Sequence, residues 1–146
     1  MKKLYTLLIF CFFQLHVHAQ MYGNEWINFS SGGQYSDQQY YKIRVWKDGI
    51  YRISRVDLIN AGFNVNQDPR RFQIFHNGTE NFIYVQGEAD GTFDSGDYIE
   101  FYGQKNDGKM DKSIYEDEND QPFQYYSLIN DTGTYFLTVN PNSIVN

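Results

Sequence analysis

Short segments in which apolar and polar residues alternate set the fold class of this chain. In Tyr41–Val45 every second residue is apolar, which is the period of a strand with one buried face. Lys47, Asp48 and Gly49 then form a turn signal in which glycine supplies positive φ. Residues 50–53 are the predicted return strand. The pattern predicts a hairpin in which these two strands pair with each other.

A second hairpin is predicted around Asn77-Gly78, a strong turn signal between the apolar segments 72–76 and 82–85. Both faces of residues 82–85 are apolar. We therefore expect one side to pack against a neighbouring sheet or another domain. Further strands are predicted at residues 26–29, 97–103, 125–129 and 134–139, and residues 104–121 are polar enough to form a long loop.

One helix interrupts the strands. Ser54 is a suitable N-cap, Asp57 stands at the third helical position, and Gly62 is a stop signal. This predicts a two-turn helix over residues 55–61, with Val56, Ile59 and Phe63 on its buried face. The fold class predicted is mostly β, an antiparallel sandwich or open barrel-like domain with one short helix.

The N-terminus has the pattern of a signal peptide. Lys2 and Lys3 precede an apolar segment over residues 4–15. That segment is too short to span a bilayer, which takes about 20 apolar residues. Val17 and Ala19 predict cleavage after Ala19. A lipoprotein signal at Cys11 is disfavoured because the bulky Phe10 precedes it.

The predicted organisation is a signal peptide over residues 1–19, an extended N-terminal arm over 20–39 and a β-rich domain over 40–146. The expected localisation is exported: periplasm, outer membrane or cell surface.

Export would leave an acidic chain with little reactive chemistry. Cleavage removes the only cysteine and two of the three histidines, so that His76 alone remains. Such a chain lacks the residues for a Cys–His dyad or a thiolate zinc site. Cleavage also removes two lysines and makes the net charge more negative than the −6 of the whole chain. This balance argues against binding to nucleic acid or to anionic membrane surfaces.

An acidic loop at residues 87–97 is the candidate metal site. Aligned with the calcium-loop template, the loop begins at Gln86 and places Gly91 at the required glycine. Gln at the first position and Asp at the last depart from the template, and the flanks are strands. The alternative is a tight turn in which Asp side chains bond to nearby backbone N–H groups. The candidate calcium ligands are Glu88, Asp90, Thr92, Asp94 and Asp97.

Other residues have a functional and a structural interpretation. His76 is expected to be a surface hairpin residue, not a catalytic base. Arg70-Arg71 is expected to be a solvated or structural ion-pairing element, with binding of a carboxylate or phosphate as the alternative. The aromatic candidates are expected to fill core and edge positions, with a glycan- or peptide-binding groove as the alternative; they are Trp26, Tyr40, Tyr41, Trp46, Tyr125 and Tyr126.

Five segments together resemble the N-terminal region of the gingipain-like, PorU-like sortases of the Bacteroidetes type IX secretion system. They occur in the same order and cover essentially the whole mature chain: YGNEWINF, YYKIRVWKDGIYRIS with the following VDL and AGF, DPRRFQIFHNG, GEADGTFDSGDYIEFYG and YYSLINDTGTYFLTV. The resemblance implies a β region that precedes a caspase-like cysteine peptidase domain. Such proteins remove sorting domains from cargo at the outer membrane and attach the cargo to a surface glycolipid.

The resemblance transfers no catalytic residue, because the catalytic Cys and His of the family belong to the later domain and this sequence ends at Asn146. We expect a truncated reading frame, a gene fragment or an isolated N-terminal domain. The expected function is to support or dock the peptidase domain or other secretion components, with outer-membrane association only through these partners. The alternative is a free-standing secreted glycan- or peptide-binding module.

Overall fold

The computed structural model describes residues 38–123 and 125–141, and these form two antiparallel sheets. One sheet contains β1 (Tyr41–Val45), β3 (Phe72–His76), β4 (Thr79–Asn81) and β7 (Gly133–Val139), in the order β1-β7-β3-β4. The other contains β2 (Gly49–Ser54), β5 (Ile83–Val85) and β6 (Tyr98–Gly103), in the order β2-β6-β5. The prediction of a mostly β, sandwich-like fold is confirmed. The signal peptide, the strand at 26–29 and the arm up to residue 37 lie outside the described residues.

A shared apolar core joins the two sheets. Phe101 of the β2-β6-β5 sheet contacts Tyr135 of β7, with ring centroids 5.2 Å apart. Phe72 lies between two further rings, with edge-on contacts to Phe63 and Phe93 at 5.3 Å each. Edge-on aromatic pairs are favourable beyond the area they bury. The inward side chains of both sheets therefore form one core, without disulfides among the described residues.

The first predicted hairpin is wrong in its pairing, although both strands exist. β1 pairs with β7, and β2 pairs with β6. Residues 46–48 therefore cross from one sheet to the other, and the Tyr51 hydroxyl donates to the Lys47 carbonyl at 2.9 Å across this crossing. Each strand buries its apolar face against the opposite sheet, which a hairpin within one sheet would not achieve.

The second predicted hairpin is confirmed only in its first half. His76 pairs with Thr79 around a turn in which Asn77 and Gly78 have φ of 49° and 76°. After residue 81 the chain leaves this sheet, and β5 pairs with β6 in the other one. Phe82 lies at the point of crossing.

The predicted helix is confirmed as α1 (Arg55–Asn60), with both hydrogen bonds of the capping box between Ser54 and Asp57. Gly62 follows with φ 77°, as the stop signal predicted. The predicted buried face is wrong for Val56 and Ile59, which are exposed, and correct for Phe63, which is buried. Within the helix Leu58 enters the core instead. A two-turn helix lying beside a sheet buries only the row nearest the sheet.

The predicted strand at residues 125–129 is also wrong. The Ser127 hydroxyl accepts hydrogen bonds from the N–H groups of Ile129 and Asn130, each at 3.1 Å. This local turn replaces strand pairing. Elsewhere the connections contain short 3-10 helices at Pro69–Arg71, Glu88–Asp90, Lys109–Ile114 and Glu118–Asp120. Within the described residues, no helix has the length and apolar character required to cross a membrane.

Candidate functional site

The solvent side of the β2-β6-β5 sheet, here called the outer face, is the main candidate site. Register places Ile50 opposite Tyr102 and Arg52 opposite Glu100. Tyr84 of β5 also pairs with Glu100. The residues between them in sequence, such as Tyr51 and Phe101, point into the core, and successive side chains of a strand point to opposite faces. The outer face therefore carries the other set: Ile50, Arg52, Tyr84, Tyr98, Glu100 and Tyr102.

Large apolar side chains of this face are open to solvent. The exposed fractions are 68% for Ile50, 53% for Tyr84 and 50% for Tyr102. Phe82, which directly precedes β5, is 99% exposed. Single exposed apolar residues are ordinary on protein surfaces, but contiguous ones mark interaction sites. These side chains lie on three neighbouring strands or directly before one of them, so they form a contiguous group.

An ion pair between Arg52 and Glu100 lies at the centre of this face. The Arg52 guanidinium donates twice to Glu100 Oε1, from Nε at 2.9 Å and from Nη2 at 2.8 Å. Its carbon Cζ lies 3.9 Å from the ring centroid of Tyr98, within the range of a cation–π contact. The hydrogen bond to Glu100 raises the pKa of Arg52. An oriented Arg beside tyrosines and exposed aliphatic groups is the composition typical of protein–protein interfaces.

Local hydrogen bonds occupy the carboxylates of the acidic loop. Asp90 Oδ1 accepts from the Thr92 N–H at 2.9 Å, and this bond is the main reason that the pKa of Asp90 is lowered. The Thr92 hydroxyl lies 2.8 Å from Asp90 Oδ1 and 3.1 Å from Asp94 Oδ2. Asp97 Oδ2 accepts from the Asp94 N–H at 2.6 Å. A Cβ at Gly87, where φ is 88°, would overlap the Asp97 carboxylate.

Arg70 supplies a positive charge to the same loop. Its pKa is raised chiefly by the hydrogen bond to Asp68, and Glu88 and Asp90 add to the effect. A Cβ built on Gly91 would lie 3.0 Å from the Arg70 guanidinium. In the described part of the chain, no three acidic, His or Cys side chains are placed to hold a metal together. The calcium interpretation stays a prediction, and these contacts account for the carboxylates without an ion.

The remaining basic candidates have structural contacts. Arg71 Nε donates to the Asn140 carbonyl at 2.7 Å and ties the start of β3 to the end of β7. His76 Nδ1 lies 3.0 Å from the Thr134 carbonyl. Its ring stacks on Tyr135 with centroids 4.1 Å apart. These contacts agree with the structural interpretation of Arg70, Arg71 and His76.

The aromatic candidates divide into two kinds. Tyr41 is partly buried and packs against the core, edge-on to Phe63 at 5.1 Å between ring centroids, and its hydroxyl donates to the Gly62 carbonyl. Trp46 and Tyr125 are exposed. Tyr126 stacks on Phe123 at 4.8 Å between centroids, a pairing that the sequence pattern does not indicate. Trp26 lies outside the described residues.

Sequence reasoning missed most of the outer face. The sequence signal for this face is the pairs of adjacent apolar residues at 50–51 and 101–102. Such pairs place apolar side chains on both faces of a strand, and only one face can pack in the core of this domain. The sequence prediction of such a two-faced strand covers only residues 82–85. Comparisons with protein-family models, curated proteins and solved structures found no match for this chain.

Proposed function

We propose that this chain is a non-catalytic β module of an exported protein and that its outer face docks a protein partner. The observation that carries the proposal is the contiguous group of exposed Ile50, Phe82, Tyr84 and Tyr102 side chains around the Arg52–Glu100 pair. Covering one such side chain is worth about 1.5–3 kcal/mol. Several of them together can anchor a stable interface.

The resemblance to gingipain-like type IX secretion sortases supports one class of partner. In those proteins a β region accompanies the cysteine peptidase domain that processes and anchors secreted cargo. The partner proposed for the outer face is therefore that peptidase domain, within one longer protein, or another component of the same secretion system. The module itself would contribute position and stability, and the chemistry would belong to its partner.

A glycan- or peptide-binding module is the second candidate. One observation favours it: Tyr125 is exposed beside the stacked Phe123–Tyr126 pair, and the Lys105 ammonium lies 5.1 Å from the Tyr126 ring centroid. Exposed aromatic rings can stack on sugars or peptide side chains. If the chain is such a module, it should bind glycans, and Tyr125→Ala or Trp46→Ala should abolish that binding.

The mass of the native product tests the first proposal against the second. An antibody to this domain is applied to fractionated cells. A band at the outer membrane, much larger than a chain of 146 residues, supports a module joined to a peptidase domain. A stable exported band of this chain's own size argues against it and favours the binding module, for which a glycan array is the next experiment.

A further inference from the structure

A small cavity lies between the end of β3 and the two loops that precede β7. Its volume is about 260 Å³, and its lining includes His76, Asp107, Met110, Asp111, Ile129 and Asn130. We call it the loop cavity. It shares no residue with the outer face or with the acidic loop at residues 87–97, so a ligand bound in it would be independent of the proposed function.

Asp111 is the unusual residue of the loop cavity. It is only 8% exposed. Its backbone N–H donates to the Gly108 carbonyl at 3.0 Å, but its carboxylate has no hydrogen-bond or ion-pair partner among the described residues. Buried charges in proteins are normally paired or hydrogen-bonded, because desolvation of a lone carboxylate is costly. With no donor from the described residues, the Asp111 carboxylate can accept only from water or from a ligand in the cavity that it lines.

The polar side chains beside Asp111 in the loop cavity already have hydrogen-bond or ion-pair partners. Asp107 Oδ2 pairs with the Lys109 ammonium at 2.7 Å. Asn106 Oδ1 accepts from the Gly108 N–H at 3.1 Å, and its Nδ2 donates to the Asn130 carbonyl at 2.8 Å. The two ring nitrogens of His76 face the Thr134 carbonyl and the Asn77 amide. None of these groups supplies a donor to Asp111.

Gln121, which contacts this turn but is not among the residues lining the cavity, carries a second acceptor without a donor. Gln121 Nε2 donates to the Gly108 carbonyl at 2.9 Å, while its buried Oε1 has no partner among the described residues. The surroundings of Gly108 thus contain more acceptors than donors. A ligand that enters the cavity and pairs with Asp111 brings N–H groups and positive charge.

The lining distinguishes an organic cation from a metal ion. The described residues provide no group of three acidic, His or Cys ligands. Met110 and Ile129 instead give the cavity apolar walls, which suit a hydrocarbon stem. The volume is below the range of about 300–1,000 Å³ for drug-sized ligands and suits one side chain.

We propose that the loop cavity binds an alkyl-guanidinium or alkyl-ammonium group, with Asp111 as the ion-pair partner and Met110 and Ile129 against the stem. A guanidinium can donate two parallel hydrogen bonds to one carboxylate. The group can belong to a basic side chain of a peptide or to a free amine, and the experiment separates these sources.

The test is a titration of the protein with acetyl-arginine amide, monitored by the amide NMR signals of Gly108 and Gly133. Wild type and Asp120→Asn, an exposed site with the same change of charge, should bind alike. Asp111→Asn should bind at least about tenfold more weakly, as expected for a hydrogen bond to a charged group. Acetyl-citrulline amide, which has the same shape without the charge, should not bind.

Agmatine, a guanidinium without a peptide backbone, identifies the source. Equal binding of agmatine supports a free amine, and binding of the arginine amide alone supports a peptide side chain. Equal binding of the citrulline and arginine amides to wild type overturns the proposal, even where Asp111→Asn does not fold. Unchanged affinity in a folded Asp111→Asn protein overturns it too. If calcium shifts the NMR signals of these glycines and the shift is lost in Asp111→Asn, the site binds a metal ion and the proposal of an organic cation is overturned.

Discussion

Ile50 lies directly opposite Tyr102 in the β2–β6 ladder, on the side of the sheet turned away from the core. Their sequence neighbours Tyr51 and Phe101 stack inside the core, with ring centroids 5.8 Å apart. The same ladder therefore carries apolar side chains on both faces. One face is covered by the other sheet, and the outer face is open to solvent.

A hydrophobic dye should bind to the native protein through the outer face. Phe82→Ser removes the most exposed apolar side chain and should lower the dye fluorescence. Ile114→Ser is the matched control, since Ile114 is also largely exposed but lies in a 3-10 helix outside the sheets. Fluorescence titrations well below the melting temperature measure both. A wild-type protein that binds no dye, or an equal loss in the control, would contradict the proposed docking face.

Gly133 should be intolerant of any side chain. It lies opposite Val45 in the β1–β7 ladder, and a Cβ at this position would overlap the backbone carbonyl of Gln104. We expect Gly133→Ala to lower the free energy of unfolding by about 1–3 kcal/mol, as overpacking does. Gly49→Ala is the control: a Cβ there meets no atom within 4 Å, and the change should be neutral or stabilise by roughly 0.5 kcal/mol. Urea denaturation measures the free energy of unfolding of both variants, and an equal change in the two would contradict this account.

Local sequence patterns located most strands but not their partners. The strands predicted at Tyr41–Val45 and at residues 50–53 are present, and so are the capping box at Ser54 and the Asn77-Gly78 turn. The turn signal at residues 47–49 is compatible with a crossing between two sheets as well as with a hairpin, and the positive φ expected at Gly49 is wrong. The choice depends on pairing with β6 and β7, which lie far along the chain, and the sequence around residues 41–54 carries no signal of that pairing.

The functional residues were harder to predict than the fold. The acidic loop was conspicuous because Asp and Gly are concentrated there, but tight turns use the same residues. Asp111 was inconspicuous, since nothing in its sequence neighbourhood distinguishes a buried carboxylate from an exposed one. Its burial depends on the packing of residues 106–111 against residues 127–134, through hydrogen bonds such as Asn106 N–H to the Asp131 carbonyl at 3.0 Å.

The capping box should make stability depend on pH. The hydrogen bond from the Ser54 hydroxyl, followed by that from the Ser54 N–H, lowers the pKa of Asp57. A lowered folded-state pKa stabilises the fold above the unfolded pKa of about 3.9, and this contribution is lost as the pH falls through the folded value. Asp57→Asn should therefore flatten the decline in unfolding free energy below about pH 4. Parallel declines in both proteins would contradict the assignment.

Ser54→Ala provides the matched test of the same box. It removes the hydroxyl that lowers the Asp57 pKa, so it should flatten the same pH dependence. At neutral pH it should cost about 1 kcal/mol as a lost N-cap. Combining it with Asp57→Asn should flatten the pH dependence little further than either substitution alone, because both residues act in one pair.

Calcium distinguishes the two interpretations of the acidic loop. A calcium site predicts that millimolar calcium raises the melting temperature and that Asp90→Asn abolishes the rise. The hydrogen-bonded turn predicts an unchanged melting curve. The contacts from Thr92 and Asp94 to these carboxylates favour the second outcome. Differential scanning calorimetry with calcium and with a chelator measures the difference.

The most direct test of the docking face is photo-crosslinking in the native host from a benzoyl-phenylalanine placed at Phe82. A matched probe at Ile114 controls for random capture. The account predicts a crosslink from position 82, and not from 114, to a peptide of a cysteine peptidase domain or of another secretion component. Absence of any protein crosslink from position 82 in the assembled protein, or equal capture from both positions, would contradict it.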